Sequence, residues 1–143
     1  MLEMRYPAVI RQDPKGKDFV VTFPDLDGAI TGASTLDEAI DEASDCLASW
    51  LAFAIKNHEA VPEPSEPKDS QYTISVPLWI GPKVALYRAV TEQGISNSEL
   101  ARRLGVTETV IRRMLDPDRA TKSMKLEAAL RSVGRHLYLV SAA

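Results

Sequence analysis

Residues 95–115, "ISNSELARRLGVTETVIRRML", form the most specific pattern in the chain. Two segments with helical spacing flank a turn, and each is about two helical turns long. A helix–turn–helix needs a small residue where its two helices nearly touch, and Ala101 occupies that position. The turn commonly needs a glycine four residues later, and Gly105 occupies that one. The segment therefore predicts a helix–turn–helix.

The ends of these two helices carry capping residues. Ser96 and Glu99 form the S-x-x-E pattern of a capping box, and Thr107 can cap the second helix. The residues expected to fill the core between the helices are Leu100, Leu104, Val106, Ile111 and Met114. The alternative is a helical hairpin in which Ala101 and Gly105 serve packing alone.

The second helix of a helix–turn–helix enters the major groove of DNA with its early exposed positions. The candidates to face bases or phosphates are therefore Thr107, Glu108, Thr109, Arg112 and Arg113. Arginine can donate two hydrogen bonds to guanine, and a glutamate can accept one from cytosine. Contacts to phosphate, which position a protein without reading sequence, are expected from Ser96, Asn97, Ser98 and Lys122.

One such helix reads about half of a DNA site, so a homodimer on a palindrome is expected, or a tetramer built from two dimers. The C-terminal segment "LYLVSAA", residues 137–143, is apolar enough to join a dimer interface. It equally allows a role in closing the core of its own unit.

Charge is divided unevenly along the chain. Residues 1–79 carry six Lys/Arg against fourteen Asp/Glu, a net charge of −8, whereas residues 80–143 carry eleven against six, a net charge of +5. A basic module commonly meets nucleic acid, and an acidic one can meet a basic protein. Unless the split is chance patchiness, it predicts an N-terminal binding domain, 1–79, and a C-terminal helix–turn–helix domain, 80–143.

The acidic half reads as a sheet with one long helix. Strands are predicted over 5–13, 18–24, 29–32 and 71–78, from β-branched and aromatic residues between turn signals. A helix capped by Ser34 or Thr35 carries an apolar stripe, Leu36, Ile40, Ala43, Leu47, Trp50, Leu51 and Ala54. The expected fold class is α+β, an N-terminal antiparallel sheet with one long helix followed by an all-α unit.

The acidic residues do not follow a metal or catalytic pattern. From Asp25, a calcium loop fails at its fifth and twelfth positions, which hold Ala29 and Leu36. The possible zinc ligands, Cys46, His58 and His136, are scattered. We therefore expect no cofactor, no metal and no catalytic residue. A weak nuclease using Asp25, Asp27, Asp37 and Asp41 is the enzymatic alternative.

The remaining expectations concern location and packing. A single cysteine, the absence of a long apolar run and the absence of a secretory signal predict a cytoplasmic protein. Cys46 and Trp50 are expected in the core. Trp79 is expected between the modules or at an interface.

Both halves resemble one family. "YPAVI" (6–10) with "FVVTFPDLDGAITGASTLDEAI" (19–40) resembles the N-terminal signature of HicB-type antitoxins, the antidotes of bacterial HicA/HicB toxin–antitoxin pairs. "SELARRLGVTETVIRRMLD" (98–116) with "ATKSMKLEAALRSVGRHL" (120–137) is similar to the helix–turn–helix tail of one branch. The matching N-terminal positions are Tyr6, Phe23, Pro24, Asp25, Leu26, Gly28, Thr31, Gly32, Leu36, Glu38 and Ala39. Asp27 departs from the family, which more often has an apolar residue or proline there.

The resemblance implies a partial RNase H-like N-terminal module without nuclease activity, which binds and neutralises a small basic HicA-type toxin, an mRNA interferase. It implies a C-terminal module that dimerises and represses its own operon by binding promoter DNA. The residues expected on the toxin-binding side are Asp25, Leu26, Asp37, Glu38, Asp41 and Asp45. A ligand-sensing helix–turn–helix repressor without a toxin partner is the alternative function.

Overall fold

The computed structural model describes residues 4–142, which form two compact units. The first unit comprises the described residues up to 54 together with 61–78, and the second comprises 55–60 and the residues from 79 onward. The elements of the chain, in order, are β1 (Arg5–Gln12), β2 (Phe19–Thr22), β3 (Ile30–Ala33), α1 (Leu36–Lys56), β4 (Tyr72–Ser75), α2 (Gly81–Gln93), α3 (Asn97–Leu104), α4 (Glu108–Leu115) and α5 (Ser123–Ser132). The grouping of residues 55–60 with the second unit has no signal in the sequence.

The sheet of the first unit has the order β3-β2-β1-β4, with all neighbours antiparallel. The predicted α+β class, an antiparallel sheet with one long helix followed by a series of helices, is confirmed. Two strands are shorter than predicted: 18–24 yields only β2, and 71–78 only β4. Proline lacks the N–H that a sheet ladder needs, so Pro24 and Pro77 limit both strands.

The sheet and α1 each bury one face. Tyr6, Val21 and Ile74 are buried on the strands, while the stripe of α1 is buried at Ala43, Leu47, Leu51 and Ala54. Since each apolar face must be covered, the sheet and helix form two layers around one core. Thr35 caps the helix, because its Oγ1 accepts a hydrogen bond from Glu38 N at 3.2 Å.

Two core expectations for α1 need correction, because Cys46 and Trp50 are only half-buried. The indole N–H of Trp50 donates to the carbonyl of Asp27 at 2.9 Å. The ring therefore lies at the margin of the apolar layer, where its polar edge holds the 25–28 turn. Partial burial raises the pKa of the Cys46 thiol.

The second unit has one core, drawn from α2, α3, α4 and α5. Its buried residues are Leu86, Ala89, Val90, Leu100, Ala101, Ile111, Met114, Leu126, Ala129, Leu130 and Val133, with Leu104 packed against them. The prediction for Val106 was wrong, because this side chain is 37% exposed. It follows Gly105 in the turn, outside the helical face that is buried.

The end of the chain does not close this core. The side chains of residues 137–140 are exposed, and no helix or strand includes residues 135–142. The alternative in which "LYLVSAA" closes the core of its own unit is therefore contradicted over the described residues, whereas Ala143 lies outside them.

Candidate nucleic-acid and protein interfaces

The helices α3 and α4, hereafter the α3–α4 pair, are joined by residues 105–107. Ser96 Oγ accepts a hydrogen bond from Glu99 N at 3.1 Å, which caps α3. Gly105 ends α3 with a φ of 67°, and the N–H of Val106 returns to the carbonyl of Ala101 at 3.0 Å. A side chain at this φ is strained, so the turn requires glycine. Thr107 Oγ1 then accepts from Val110 N at 3.3 Å and starts α4.

Three of the predicted DNA-facing residues lie together on the exposed face of α4. Arg112 Nη2 donates to Thr109 Oγ1 at 3.1 Å, and its Nη1 lies 3.5 Å from the Glu108 carboxylate. Both partners lie one turn before the arginine, which holds the guanidinium along the helix. These three side chains thus form one exposed cluster of hydrogen-bond donors and acceptors, of the kind that can pair with the edges of bases. Thr107 and Arg113 are exposed as well.

The residues predicted to contact phosphate lie at two helix N-termini. Ser96, Asn97 and Ser98 start α3, and of these Asn97 is half-buried. Lys122 precedes α5 and is exposed. Helix N-termini favour anions because their first N–H groups have no partner within the helix.

Other basic residues of this unit are committed to internal contacts. Arg102 Nε donates to the Glu99 carboxylate at 2.8 Å, and Arg103 Nε does so at 3.1 Å. Hydrogen bonds from Arg102 first and Arg103 second lower the pKa of the Glu99 carboxyl to about 2. Arg103 Nη1 also donates to the carbonyl of Ser132, at 3.0 Å, at the end of α5.

Lys83 is a buried structural residue behind α4 that the sequence did not single out. Its side chain is 2% exposed, and Nζ donates to the carbonyls of Met114 and Asp116 and to Thr121 Oγ1 at 2.9, 2.8 and 3.0 Å. Burial lowers the pKa of this ammonium group, and the Asp116 carboxylate opposes that shift. The signal was helical spacing, since Lys83 lies three residues before the buried Leu86 and four before Tyr87.

The net charge of +5 therefore overstates the charge that this unit presents, because Lys83 and Arg88 are both buried. Among the described residues of the second unit, three exposed cations form no ion pair: Arg113, Lys122 and Lys125. Exposed, unpaired cations are the ones best placed to meet phosphate.

An open cleft of about 820 Å³ lies in the second unit beside the α3–α4 pair. Its walls combine the apolar side chains of Val90, Ile95 and Leu115 with the polar ones of Asn97 and Arg112. Ligand sites commonly have such a volume and such a mixture.

The carboxylates predicted to face a toxin lie on the exposed face of α1. Asp37, Asp41 and Asp45 follow one another at i, i+4 spacing, and all are exposed, as is Glu42. Glu38 is also exposed, and Ser34 Oγ donates to it at 3.1 Å. We refer to these five residues as the acidic face.

The other two predicted toxin contacts belong to the 25–28 turn. Asp25 Oδ2 accepts from the backbone N and the Oγ of Ser65 at 2.8 and 3.1 Å, which ties the turn to the proline-rich loop. Leu26 is only 1% exposed, so a direct contact role for its side chain has to be withdrawn. Its N–H donates to the carbonyl of Phe23, which leaves it a role in shaping the turn.

Among residues 4–142, no group of three or more His, Cys, Asp or Glu side chains is placed to hold a metal ion. Over the same residues, no helix is long and apolar enough to span a membrane.

The fold defines a two-unit protein, with an acidic helix on an α+β unit and a second unit built from short helices. The model of the HicB-like antitoxins of bacterial toxin–antitoxin systems matches residues 5–85. Antitoxin HicB of Escherichia coli strain K12 is 34% identical over 137 residues, which cover 96% of this chain and 99% of that protein. Antitoxin HicB 2 of Photorhabdus laumondii is 35% identical over 138 residues, 96% of each chain. The chain belongs to the HicB-like antitoxin family.

A solved structure, the N-terminal domain of the Burkholderia pseudomallei antitoxin HicB, is also similar to part of the chain. It has 23% sequence identity and a TM-score of 0.45, and the match covers 52% of this chain and all of that one.

Proposed function

We propose that this antitoxin binds and neutralises a small basic HicA-type toxin through its first unit. We further propose that the protein is a homodimer that binds promoter DNA through the α3–α4 pair of each copy and so represses its own operon. The observation that carries the first part is the acidic face of α1. Like charges at i, i+4 destabilise a helix by about 0.2–0.5 kcal/mol per pair. Asp37, Asp41 and Asp45 form two such pairs.

A basic partner bound to the acidic face would offset the repulsion between its carboxylates, and the opposite charges would attract each other. Complementary charge raises the rate of association, because the field of one protein steers the other into contact. A toxin that cleaves RNA has a basic surface to hold phosphates, and the same surface would be attracted to the acidic face. Binding there would also keep RNA phosphates away from the toxin.

The DNA-binding part rests on the Glu108–Thr109–Arg112 cluster, which presents a fork of donors on the exposed face of α4. Such a fork suits the edge of guanine in the major groove. Arg113 and Lys122 supply exposed charge for phosphates on either side. We assign no catalytic residue to the chain.

The test is co-purification with the small protein encoded beside this chain, followed by a gel shift on the promoter of the same operon. We expect a stable complex and a shifted promoter fragment. Reversal of Asp37, Asp41 and Asp45 to lysine should weaken the complex while the free variant still shifts the promoter. If the neighbour does not bind, or if no promoter fragment shifts, the corresponding half of the proposal fails.

The cleft beside the α3–α4 pair favours a second candidate, a ligand-sensing repressor. Arg112 lines both the cleft and the DNA-facing cluster, so a bound small molecule would reach a residue proposed to read bases. A ligand that raised the melting temperature and changed promoter affinity, in the absence of a toxin partner, would favour this reading. If no compound of a metabolite panel changes the melting temperature and the protein binds the toxin, the ligand-sensing repressor is excluded.

A further inference from the structure

Trp79 is a large exposed side chain of the second unit that the sites described above do not use. Its indole is 60% exposed, although the next residue, Ile80, is completely buried and accepts a hydrogen bond from Val84 N at 3.0 Å. The exposed ring is therefore held by an anchored backbone at the start of α2. Within the described part of the chain, no residue accepts a hydrogen bond from its indole N–H. Such a ring, apolar with one polar edge, is typical of binding surfaces.

Trp79 lines a groove of about 510 Å³ within the second unit. Residues 117–121, which belong to the loop that joins α4 to α5, line the same groove. Lys83 lines it as well, and its Nζ donates to the carbonyl of Met114 at 2.9 Å and to Thr121 Oγ1 at 3.0 Å. One buried lysine therefore ties this groove to the end of α4.

We propose that Trp79 contacts the sugar–phosphate backbone of DNA at the edge of the major groove that α4 enters. This deepens the proposed function and rests on it. The indole N–H donates to a phosphate oxygen, and the ring packs against the neighbouring deoxyribose. A contact to the backbone positions a protein on DNA without reading bases, so Trp79 holds α4 in place and does not select a sequence.

The position of the groove at the end of α4 supports this assignment. The eight residues of α4 span about 12 Å, and the major groove of B-DNA is about 12 Å wide. Residues directly beyond the end of α4 therefore lie near the strand that borders the major groove. The 117–121 loop occupies that position, and Trp79 shares a groove with it.

The charges beside the groove favour DNA over a basic toxin. Arg119 lines the groove with a side chain that is 59% exposed, and Lys122, directly after the loop, is exposed and forms no ion pair with any described residue. Asp118 also lines the groove, but its carboxylate is paired with Lys56. The carboxylate of Asp116 lies 3.8 Å from Arg119 Nε. A phosphate is attracted to the exposed cations, whereas a basic protein is repelled by them.

A neutral donor differs from a lysine in its response to salt. A lysine that meets a phosphate releases a counterion, so its loss reduces the slope of affinity against salt by about one unit. Trp79 is neutral and releases no counterion, so its loss should lower the affinity by the same factor at every salt concentration. The loss should also be equal on operator and scrambled DNA, because both have the same backbone.

The test measures DNA binding by the full chain in quantitative gel shifts. Trp79→Phe keeps an aromatic ring but removes the donor, so the affinity should fall about tenfold with the salt slope unchanged. Leu78→Ala is the matched control, because Leu78 is 71% exposed beside Trp79 and does not line the groove. Both variants should keep the wild-type urea midpoint, since both sites are exposed. In a Trp50→Phe background Trp79 is the only tryptophan, and promoter DNA should shield its fluorescence from acrylamide.

Wild-type affinity in Trp79→Phe, or unchanged access of acrylamide when the promoter is bound, overturns the assignment and leaves the proposed function intact. A loss of affinity confined to the operator overturns the backbone contact, because Trp79 would then read a base. Shielding of Trp79 by the toxin alone overturns it too, because the groove would then serve the toxin. If the wild type does not shift the promoter, the proposed DNA binding fails, and the assignment fails with it.

Discussion

Lys83 Nζ lies 2.9 Å from the carbonyl oxygen of Met114, so a lysine in the first turn of α2 caps the last turn of α4. A cation at a helix C-terminus satisfies carbonyls that have no partner in the helix and complements the helix dipole. The same ammonium group reaches the carbonyl of Asp116 and the hydroxyl of Thr121, at 2.8 and 3.0 Å. One buried side chain therefore fixes both the end of α4 and the loop that follows it.

Substitution of Lys83 by methionine should destabilise the second unit. The change keeps an unbranched side chain but leaves buried carbonyls without a donor, which costs about 1–3 kcal/mol. Urea unfolding should show this loss, and promoter affinity should fall because the end of α4 is no longer held. Lys125→Met, which removes an exposed lysine of the same unit, should change stability by less than about 0.5 kcal/mol. Equal stability of the two variants would show that Lys83 does not hold α4.

Glu99 should make the stability of the α3–α4 pair sensitive to acid. The folded pKa of its carboxyl is about 2, against an ordinary value of 4.5. The unfolded chain therefore binds the proton first as the pH falls, so the stability that Glu99 contributes is present above about pH 4.5 and is lost toward pH 2. The difference in urea midpoint between wild type and Glu99→Gln should shrink across that window. Glu127→Gln serves as a control for removing an exposed, paired glutamate. A difference that stays constant with pH contradicts the assignment.

Reversal of the acidic row should slow toxin association. Lysine at positions 37, 41 and 45 inverts the field that attracts a basic toxin, and the effect should be largest at low salt, where screening is weak. Stopped-flow association rates at several salt concentrations would measure it. A matched control replaces Asp18, Glu66 and Asp69 with lysine. These exposed residues lie outside α1, and their reversal changes the net charge of the same unit by the same amount. Equal rates for the two triple variants would mean that α1 does not steer the toxin.

Loss of Arg112 and loss of Lys122 should have different effects on DNA binding. Arg112→Ala should cost about 1–3 kcal/mol on the specific site and relax the choice of one base pair. Lys122→Ala should weaken all sequences alike and reduce the salt slope by about one unit. Quantitative gel shifts on operator and scrambled DNA separate the two. Arg131→Ala, which removes an exposed arginine paired with Glu127 on α5, is the control. Identical behaviour of the first two variants would remove the base-reading role from Arg112.

Local patterns predicted the parts of the structure that depend on neighbours in sequence. Ser96, Thr107 and Gly105 act within one or two helical turns, so their roles as two caps and a turn could be predicted without the fold. The buried stripe of α1 followed from spacing in the same way. The four strands were located, although Pro24 and Pro77 shortened two of them.

Contacts between distant residues could not be predicted, because they depend on the packing of separate elements. The contact made by Lys83 is one example. Helical spacing places it beside buried residues, but nothing near it in sequence shows that its ammonium group meets the carbonyl of Met114, thirty-one positions away. Val106 was assigned to the core because its side chain is apolar, whereas its position in the turn exposes it. The same holds for Trp50, whose indole reaches the carbonyl of Asp27.

The antitoxin function is tested most directly by growth. The small protein encoded beside this chain should arrest growth when expressed alone, and co-expression of this chain should restore growth. The Asp37, Asp41 and Asp45 reversal should restore it less well than the Asp18, Glu66 and Asp69 reversal. If the neighbour arrests growth and this chain, expressed to the same level, leaves the arrest unchanged, the protein does not neutralise that toxin.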